Sequence, residues 1–559
     1  MIVQDIWTDI VSICRLYPQL LIFLSLAIGY AVGKIRVVGF SLGSTASVLL
    51  AALALGQIGV EITPLIKAIA FALFIFTIGY KVGPQFFGGL KKEGFSYIIL
   101  ALFVAIVGLV TAVLLGKLFG FNNGTVAGLL SGAMTQSSVI GTAEDAVRAL
   151  PIDAVQQKLL SSDIAVAYAI TYLFGVAGLI LFYKIVPRLL KIDLKAEAQK
   201  LEAQLSGSAA QQVSSWNARP SMRIYRVASK NVVGKSVSAL KDLLAGAKIE
   251  KIKRGDTLLE PTPTTTIQAD DLLLLLGTRD QIIAIVDTIG PEVDDAILAA
   301  LPGEMLDVYV TSAKAVGKTV ETVLKKYGAH CMIHSITRQD HELPLKQRTV
   351  IEKGDTLAVM GLTDEVDAFA QAVGYPERET KTTDLAMVGL GCFLGTLLGI
   401  AMIKIGYVSL TLGTGGGILL AGLFFGWLRS VHPTFGGIPA AAQWLLSDLG
   451  LNLFIACVGL TAGPRAIHAL QTQGATLFLA GVIVTLTPQI LGLVFGKFVL
   501  RLNPVLLFGA LTGAGTATPS LNVLKNECDS SAPALGYTVP YAIGNFILTI
   551  WGTVIINFM

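Results

Sequence analysis

Two short runs of hydroxyl and amide side chains lie inside stretches that are otherwise apolar. Thr135, Gln136, Ser137 and Ser138 form one run, and Thr516, Thr518, Ser520 and Asn522 form the other. Hydroxyls, amides and freed backbone N–H groups at a broken helix end suit a carboxylate, because a helix N-terminus carries partial positive charge. The competing reading is that the hydroxyls bond back to carbonyls of their own helices. Recurrence of the cluster in two distant places favours binding. Lys81 and Arg465 add charge, each in or beside a Gly-x-x-x-Gly-Pro segment, at 79–84 and 459–464. Either could pair with an anionic solute, Arg465 through a bidentate fork, or could snorkel to an interface as a topology anchor. Lys67 and Asp163 stand at span edges, where they could neutralise each other or mark a coupling site. Glu144 and Asp145 are expected to be solvated.

The elements that must carry these groups follow from composition. The 559 residues are 53% hydrophobic and 14% charged, with a mean hydropathy of +0.69. A soluble protein carries about 25% charged residues, so a water-soluble enzyme of this size is excluded. Charge is also segregated: 51 of the 80 Lys, Arg, Asp and Glu fall between residues 191 and 384, and 29 are spread over the other 365. That pattern predicts a polytopic α-helical membrane protein interrupted by a polar insert. The net charge of +4 and the lack of a basic run give no nucleic-acid partner. Five cysteines without a CxxC pair predict neither metal nor redox chemistry, and no cofactor is expected. Asp5 and Asp9, without a basic n-region, argue against a cleavable signal peptide.

A span needs about 20 mostly apolar residues. The first half offers 17–35, 37–58, 62–82, 96–119 and 163–186; the second offers 385–405, 407–427, 445–462, 475–499 and 534–559. Each half also holds a Gly/Ser/Thr-rich stretch, 124–146 and 504–526. Backbone of that kind persists at membrane depth only when buried in protein or lining a cavity. Lys34, Arg36, Lys81, Lys91, Lys92, Lys184, Arg188 and Lys191 fall on one side if 124–146 enters and leaves on the same face, as a re-entrant hairpin. The positive-inside rule then makes the insert cytoplasmic and both termini extracellular.

The halves repeat. FALFIFTIGYKVGPQ at 71–85 matches LNLFIACVGLTAGPR at 451–465, with six of 15 positions identical. LGSTASVLLAAL at 42–53 matches LGTGGGILLAGL at 412–423, LSGAMT at 130–135 matches LTGAGT at 511–516, and Tyr168-Ala169-Ile170 matches Tyr541-Ala542-Ile543. An odd number of spans per copy makes the copies face opposite ways. Inverted repeats are the build of secondary transporters, with substrate near the midplane. GTGGG at 413–417 has no preceding strand, so it reads as small residues for close helix packing rather than a dinucleotide loop.

The insert holds its own tandem pair, 221–290 and 304–374, with Arg254 matching Arg338 and Asp271 matching Asp355. Each copy reads as strand, Gly-Lys-Ser/Thr turn, short helix, further strands and a closing helix: a small α+β domain rather than a P-loop. The expected division is membrane repeat 1–190, linker 191–220, the two insert domains, and membrane repeat 380–559.

The tandem insert resembles paired regulator-of-potassium-conductance C-terminal (TrkA-C-type) domains. The membrane halves, with GPQFF at 83–87 and GAMTQSS at 132–138, resemble the aspartate:alanine exchanger family of bacterial secondary transporters, over essentially the whole chain. The resemblance implies electrogenic exchange of a small anionic or zwitterionic amino acid or carboxylate, typically aspartate for alanine. It also implies a homodimer in the bacterial inner membrane. A small cytosolic ligand is expected on the paired insert. An ion channel gated by the insert is the rival class, but no TVGYG-like filter is present. A membrane-embedded enzyme lacks a recognisable nucleophile–base pair.

Overall fold

The computed structural model describes residue 9 and residues 11–559, apart from 38–39, 42, 90–93, 207–219, 241–242, 245–246, 279–281, 283–284, 286–287, 300–302, 329–330, 340, 378–381, 406–407, 412 and 433–435. Asp5, Lys91, Lys92 and residues 207–219 of the expected linker lie outside the described residues. The chain divides into a unit formed by residues 1–198 and 380–559 and a unit formed by 199–379.

In the first unit, α1 (Gln19–Gly33) and α2 (Gly43–Leu55) flank a short antiparallel pair, β1 (Arg36–Val37) and β2 (Phe40–Ser41). There follow α3 (Pro64–Gly89), α4 (Phe95–Phe119), α5 (Asn123–Ala133), α6 (Ser138–Ala149) and α7 (Ala154–Leu189), and then α8 (Leu194–Ser206), within which the unit boundary falls. Side-chain caps start several of these: Asn122 accepts from the Thr125 amide before α5, and Asp153 accepts from the Gln156 amide before α7. Such caps satisfy N–H groups that the helix itself cannot.

The insert unit follows with β3 (Pro220–Arg226), β4 (Lys248–Arg254), β5 (Thr257–Leu259), β6 (Leu272–Thr278), β7 (Gly303–Val310), α9 (Val320–Tyr327), β8 (Met332–Arg338), β9 (His341–Leu343), β10 (Thr356–Leu362), α10 (Thr363–Val373) and β11 (Gly374–Glu377). The second half of the membrane unit then runs α11 (Leu385–Ile400), β12 (Met402–Ile405), β13 (Val408–Thr411), α12 (Gly413–Val431), α13 (Ala440–Phe498), α14 (Pro504–Ala514), α15 (Thr518–Cys528) and α16 (Pro533–Phe558).

Six of these helices, α3, α4, α7, α12, α13 and α16, are long and apolar enough to cross a bilayer. The expected ten spans are modified in two ways. Residues assigned by hydropathy to the ends of spans 37–58, 385–405 and 407–427 instead form the small strand pairs β1/β2 and β12/β13, at equivalent places in both halves. The expected spans 445–462 and 475–499 are joined without interruption in α13, which is 59 residues long and contains Pro464 and Pro488. A straight helix of that length would reach about 89 Å, roughly three times the hydrocarbon thickness. Its first part packs on α2 and α3, with Gly450 beside Ala70 and Gly463 beside Gly56; its last part packs on α4, α7 and α14, through Gly481 and Gly492.

Glycine decides how closely the helices approach. A Cβ on Gly79 of α3 would sit 2.5 Å from the Leu419 carbonyl oxygen of α12, and Gly422 lies equally tight against the Phe76 carbonyl. The same holds for Gly417 against α11 at Gly395 and Gly399. The GTGGG segment is therefore a packing surface, as its setting in an apolar stretch implied.

The insert contains two antiparallel sheets, ordered β3-β6-β4-β5 and β11-β7-β10-β8-β9. Strand for strand they have one topology, with β11 added in the second. The equivalent Arg and Asp of each copy meet: Arg254 Nε and Nη2 donate to the two Asp271 oxygens at 2.8 and 2.8 Å, and Arg338 to those of Asp355 at 2.6 and 2.8 Å. A second forked contact repeats too, Arg254 to the Thr266 carbonyl and Arg338 to that of Val350. Each copy also bulges at one position. Glu250 is the extra residue where β4 slips against β6, and His334 takes that place in β8 against β10.

Glu250 is 1% exposed and neither of its carboxylate oxygens has a hydrogen-bond partner. Burial is the main reason its carboxyl is pushed up from 4.5 to about 7, with Glu365 and Glu260 reinforcing the shift and Lys248 and Lys251 opposing it. A carboxyl whose folded pKa is raised holds its proton longer folded than unfolded, so its contribution to stability falls between about pH 4.5 and 7 and is flat above. Glu250→Gln is expected to slow amide hydrogen exchange in β4 relative to the parent chain at pH 8, and to match it below about pH 4.5. Equal exchange at both values would show that the buried carboxylate carries no such penalty.

Candidate functional site

The two Gly/Ser/Thr-rich stretches each fold into a pair of short helices, α5–α6 and α14–α15. Neighbours fix their directions. Along α5, Gly124, Gly128 and Gly132 lie against Leu160, Ile164 and Tyr168 of α7, so α5 runs with α7. Asn123 bonds to the Ile556 carbonyl and Gln136 to Asn545, so α5 runs against α16. After the break, Ser138 contacts Thr549 and Thr142 contacts Thr553, so α6 runs with α16 and returns. The first pair is a re-entrant hairpin. In the second, Leu506, Gly513 and Ala514 lie against Gly536, Tyr537 and Gly544, so α14 runs with α16. The Thr135–Gly515 contact sets the tip at the level of Gly175 on α7, and Glu527 at the far end of α15 pairs with Arg188, so α15 runs back along α7. Because α7 and α16 are antiparallel, the hairpins enter from opposite faces.

The tips meet. Each first leg ends in the same hydrogen-bond pattern: Gln136 N donates to the Ser131 carbonyl and Thr135 N to that of Gly132, while Ala517 N donates to Thr512 and Thr516 N to Gly513. This is a Schellman closure, whose turning residue is usually glycine. Here it is threonine in both copies, Thr135 at φ 54° and Thr516 at φ 53°. A β-branched residue there is strained, and such strain persists only when its surroundings hold it. What holds it is reciprocal: the Thr135 hydroxyl donates to the Gly515 carbonyl and the Thr516 hydroxyl to the Met134 carbonyl, both at 3.3 Å.

Just beyond the tips, α6 and α15 begin, and their first N–H groups and dipole ends point back to the crossing. Ser137 Oγ lies 2.7 Å from the Tyr168 hydroxyl, and Thr518 Oγ1 lies 2.8 Å from that of Tyr537. Each tyrosine packs on a second one a turn later, Tyr168 tilted against Tyr172 and Tyr537 stacked on Tyr541, with ring centroids 5.0 Å apart in each pair. Gln136 Nε2 donates to Asn545 Oδ1 at 3.1 Å, and Ser138 Oγ lies 2.6 Å from Thr549 Oγ1. The arrangement offers hydroxyls, amides and two helix N-termini in a buried place.

Of the eight hairpin residues singled out from sequence, Thr135, Gln136, Ser137, Ser138, Thr516 and Thr518 collect at or next to the crossing. Ser520 is buried one turn further on, and Asn522 is exposed. The hydroxyls of Thr135, Ser137, Ser138, Thr516 and Thr518 bond across to other segments rather than back along their own helices. The two cations lie on neither hairpin. Lys81 is half-buried on α3, between Gly79 and Gly83, whose faces pack on α12. Arg465 is exposed and lies in the field of Asp163. Asp163 precedes the tip level at Gly175 by 12 residues, or about 18 Å along α7.

Three expectations about charged groups are corrected. Lys67 pairs with Glu144 rather than Asp163. Asp163 accepts instead from Asn122, at 2.7 Å. Glu144 and Asp145 are not solvated: Glu144 is 4% exposed, and Asp145 accepts from Thr414 and Gly415. Sequence reasoning also passed over Tyr168, Tyr537, Asn545 and Thr549. The Tyr-Ala-Ile match pointed near them, but it paired Tyr168 with Tyr541, whereas the contacts pair it with Tyr537, one turn away.

Comparison with known proteins agrees with this build. Residues 21–188 and 387–557 match an Asp-Al_Ex family described as a predicted permease membrane region, and residues 222–290 and 305–374 each match a TrkA-C domain. An uncharacterized transporter of Shewanella oneidensis is 36% identical over 551 residues, covering 97% of this chain and 98% of its own. One from Bradyrhizobium diazoefficiens is 38% identical over 547 residues, 96% and 97% of the two chains, and one from Bordetella parapertussis is 36% identical over 556, 98% and 97%. With its two half-sites inverted around one crossing and a TrkA-C pair between them, the chain belongs to the aspartate:alanine exchanger family of membrane transporters.

Proposed function

We propose that this transporter is a secondary antiporter for a small amino acid or carboxylate, exchanging aspartate for alanine as the family implies, with the solute held at the crossing of the two hairpins. The observation that carries this reading is the reciprocal contact of the tips, each with a helix N-terminus and a hydroxyl–tyrosine pair beside it. Two positive dipole ends suit one anionic group. Inverted hairpins give that group a route to either face, as alternating access requires. Thr135, Gln136, Ser137, Ser138, Thr516, Thr518 and Ser520 are assigned to the site. Asn522 stands at its edge, and Lys81 and Arg465 act outside it on entry or anchoring.

The insert is assigned a regulatory role on the cytoplasmic side of the inner membrane, taking a small cytosolic ligand within a homodimer. Such a ligand biases transport only by preferring one conformational state.

Losing one hydrogen bond to a charged group costs about 1.5–3 kcal/mol, roughly ten- to hundredfold in affinity. Ser137→Ala and Thr518→Val are therefore expected to weaken solute binding by that order in counterflow with radiolabelled aspartate, while Arg465→Lys leaves it intact. Unchanged affinity in the hairpin variants, with binding lost only at Arg465, would move the site to the Gly-Pro segment.

The strained threonines give a separate test. Thr516→Gly releases the left-handed strain while losing a long hydrogen bond, so the thermal unfolding midpoint should hold or rise. Thr516→Val keeps the strain, loses the bond and should lower it, by about 1 kcal/mol at the transition. A lower midpoint for glycine than for valine would contradict the strained tip.

A further inference from the structure

A second polar centre lies in the membrane unit, away from the crossing. At the end of α6, Glu144 Oε2 lies 3.6 Å from Lys67 Nζ of α3, with both side chains nearly buried, and Glu144 Oε1 is buried without a hydrogen bond. The next residue, Asp145, accepts from the Thr414 hydroxyl and the Gly415 amide at the start of α12, and from Arg148 at 2.5 Å. Consecutive carboxylates thus fasten the return leg of the first hairpin to α3 through a cation and to α12 through a helix N-terminus. Those two helices are themselves locked together through Gly79, Gly83, Gly422 and Gly426.

The inverted repeat supplies an internal control. At the offsets that align the halves, Glu144 and Asp145 correspond to Lys525 and Asn526, Lys67 to Ser447, and Thr414 to Ser44. The two aligned positions carry no carboxylate; Glu527 and Asp529 follow them at the end of α15. That leg is held from another direction, by Arg188 on Glu527 at 2.9 Å and Lys195 on Asp529 at 2.9 Å. The two faces of the unit are therefore closed by different chemistry. In a protein that works by moving one bundle against another, a contact built into one repeat alone holds one of the two facing states.

We propose that Lys67, Glu144, Asp145 and the start of α12 form a charge latch that keeps shut the face from which the first hairpin enters. Its strength sets how readily the unit switches, and it touches no solute. The latch rests on the transporter reading above. Its positioning groups act through α6, which begins at Ser138, with Ser137 as its cap, about two turns away. Among the described residues Cys457 reports on it: this thiol is fully buried on α13, within the field of Lys67 and Glu144.

The test uses the full chain in proteoliposomes with Cys14, Cys331, Cys392 and Cys528 replaced by serine. Lys67→Met and Glu144→Gln should each make Cys457 about tenfold more reactive to a small impermeant thiol reagent, since a pair worth one charged hydrogen bond can hold back a shift of that size. The double exchange Lys67→Glu with Glu144→Lys should restore slow labelling, which a merely space-filling role would not. In aspartate counterflow the single variants should change the exchange rate with little change in binding affinity. Unchanged Cys457 reactivity in both singles, or fast labelling that persists in the double exchange, would overturn the latch. Labelling needs no solute, so failure of the latch is distinguishable from failure of the transport reading, which would show as absent counterflow in the parent chain.

Discussion

A peptide group inside hydrocarbon has no water to bond to, so a chain that breaks its helices at membrane depth must find partners for the freed groups within itself. Everything distinctive about the membrane unit answers that constraint. The hairpin tips close with Schellman bonds, and the carbonyls those bonds leave open, at Met134 and Gly515, are taken by the threonine hydroxyl of the opposite tip. Neither hairpin is complete alone, because each satisfies the other.

This mutual dependence explains why the surroundings are so tightly specified. The hairpin legs lie against α7 and α16 at glycines whose Cβ would collide with backbone, as at Gly124 and Gly544. The tyrosine pairs behind the tips brace the first hydroxyl of each returning leg. Polar groups gathered at the crossing are thus held in one geometry by packing around them, the condition under which a small set of neutral donors can be selective. The insert follows a different rule. Its two sheets each have an antiparallel frame pinned by a forked Arg–Asp contact, which needs no membrane.

Much of this was legible in the sequence, for identifiable reasons. Segregation of charge separated the membrane halves from the insert, and collinear matches such as LSGAMT with LTGAGT revealed the repeat. The Ser/Thr clusters stood out because hydroxyls are rare in apolar stretches. What escaped was whatever depends on distant residues. Hydropathy could not see that residues 402–405 and 408–411 pair as strands, because those residues are as apolar as a span. The less apolar stretch 463–474 set two expected spans apart, yet α13 runs through it without a break. Glu144 and Asp145 read as solvated because Lys67 and Thr414, which bury them, are 77 and 269 positions away.

The continuity of α13 bears on how the two halves can share a movement. In the first half, the stretch on which Gly450 packs and the stretch that faces Gly492 belong to separate helices, α3 and α4, ending at Gly89 and beginning at Phe95. In the second half the corresponding stretches are one rod. The contact of α13 with α2 and its contact with α14 therefore lie on a single helix, whereas in the first half the equivalent contacts lie on two. Sequence symmetry has been kept while the continuity of the helices has not: residues that two helices supply in one repeat belong to a single helix in the other.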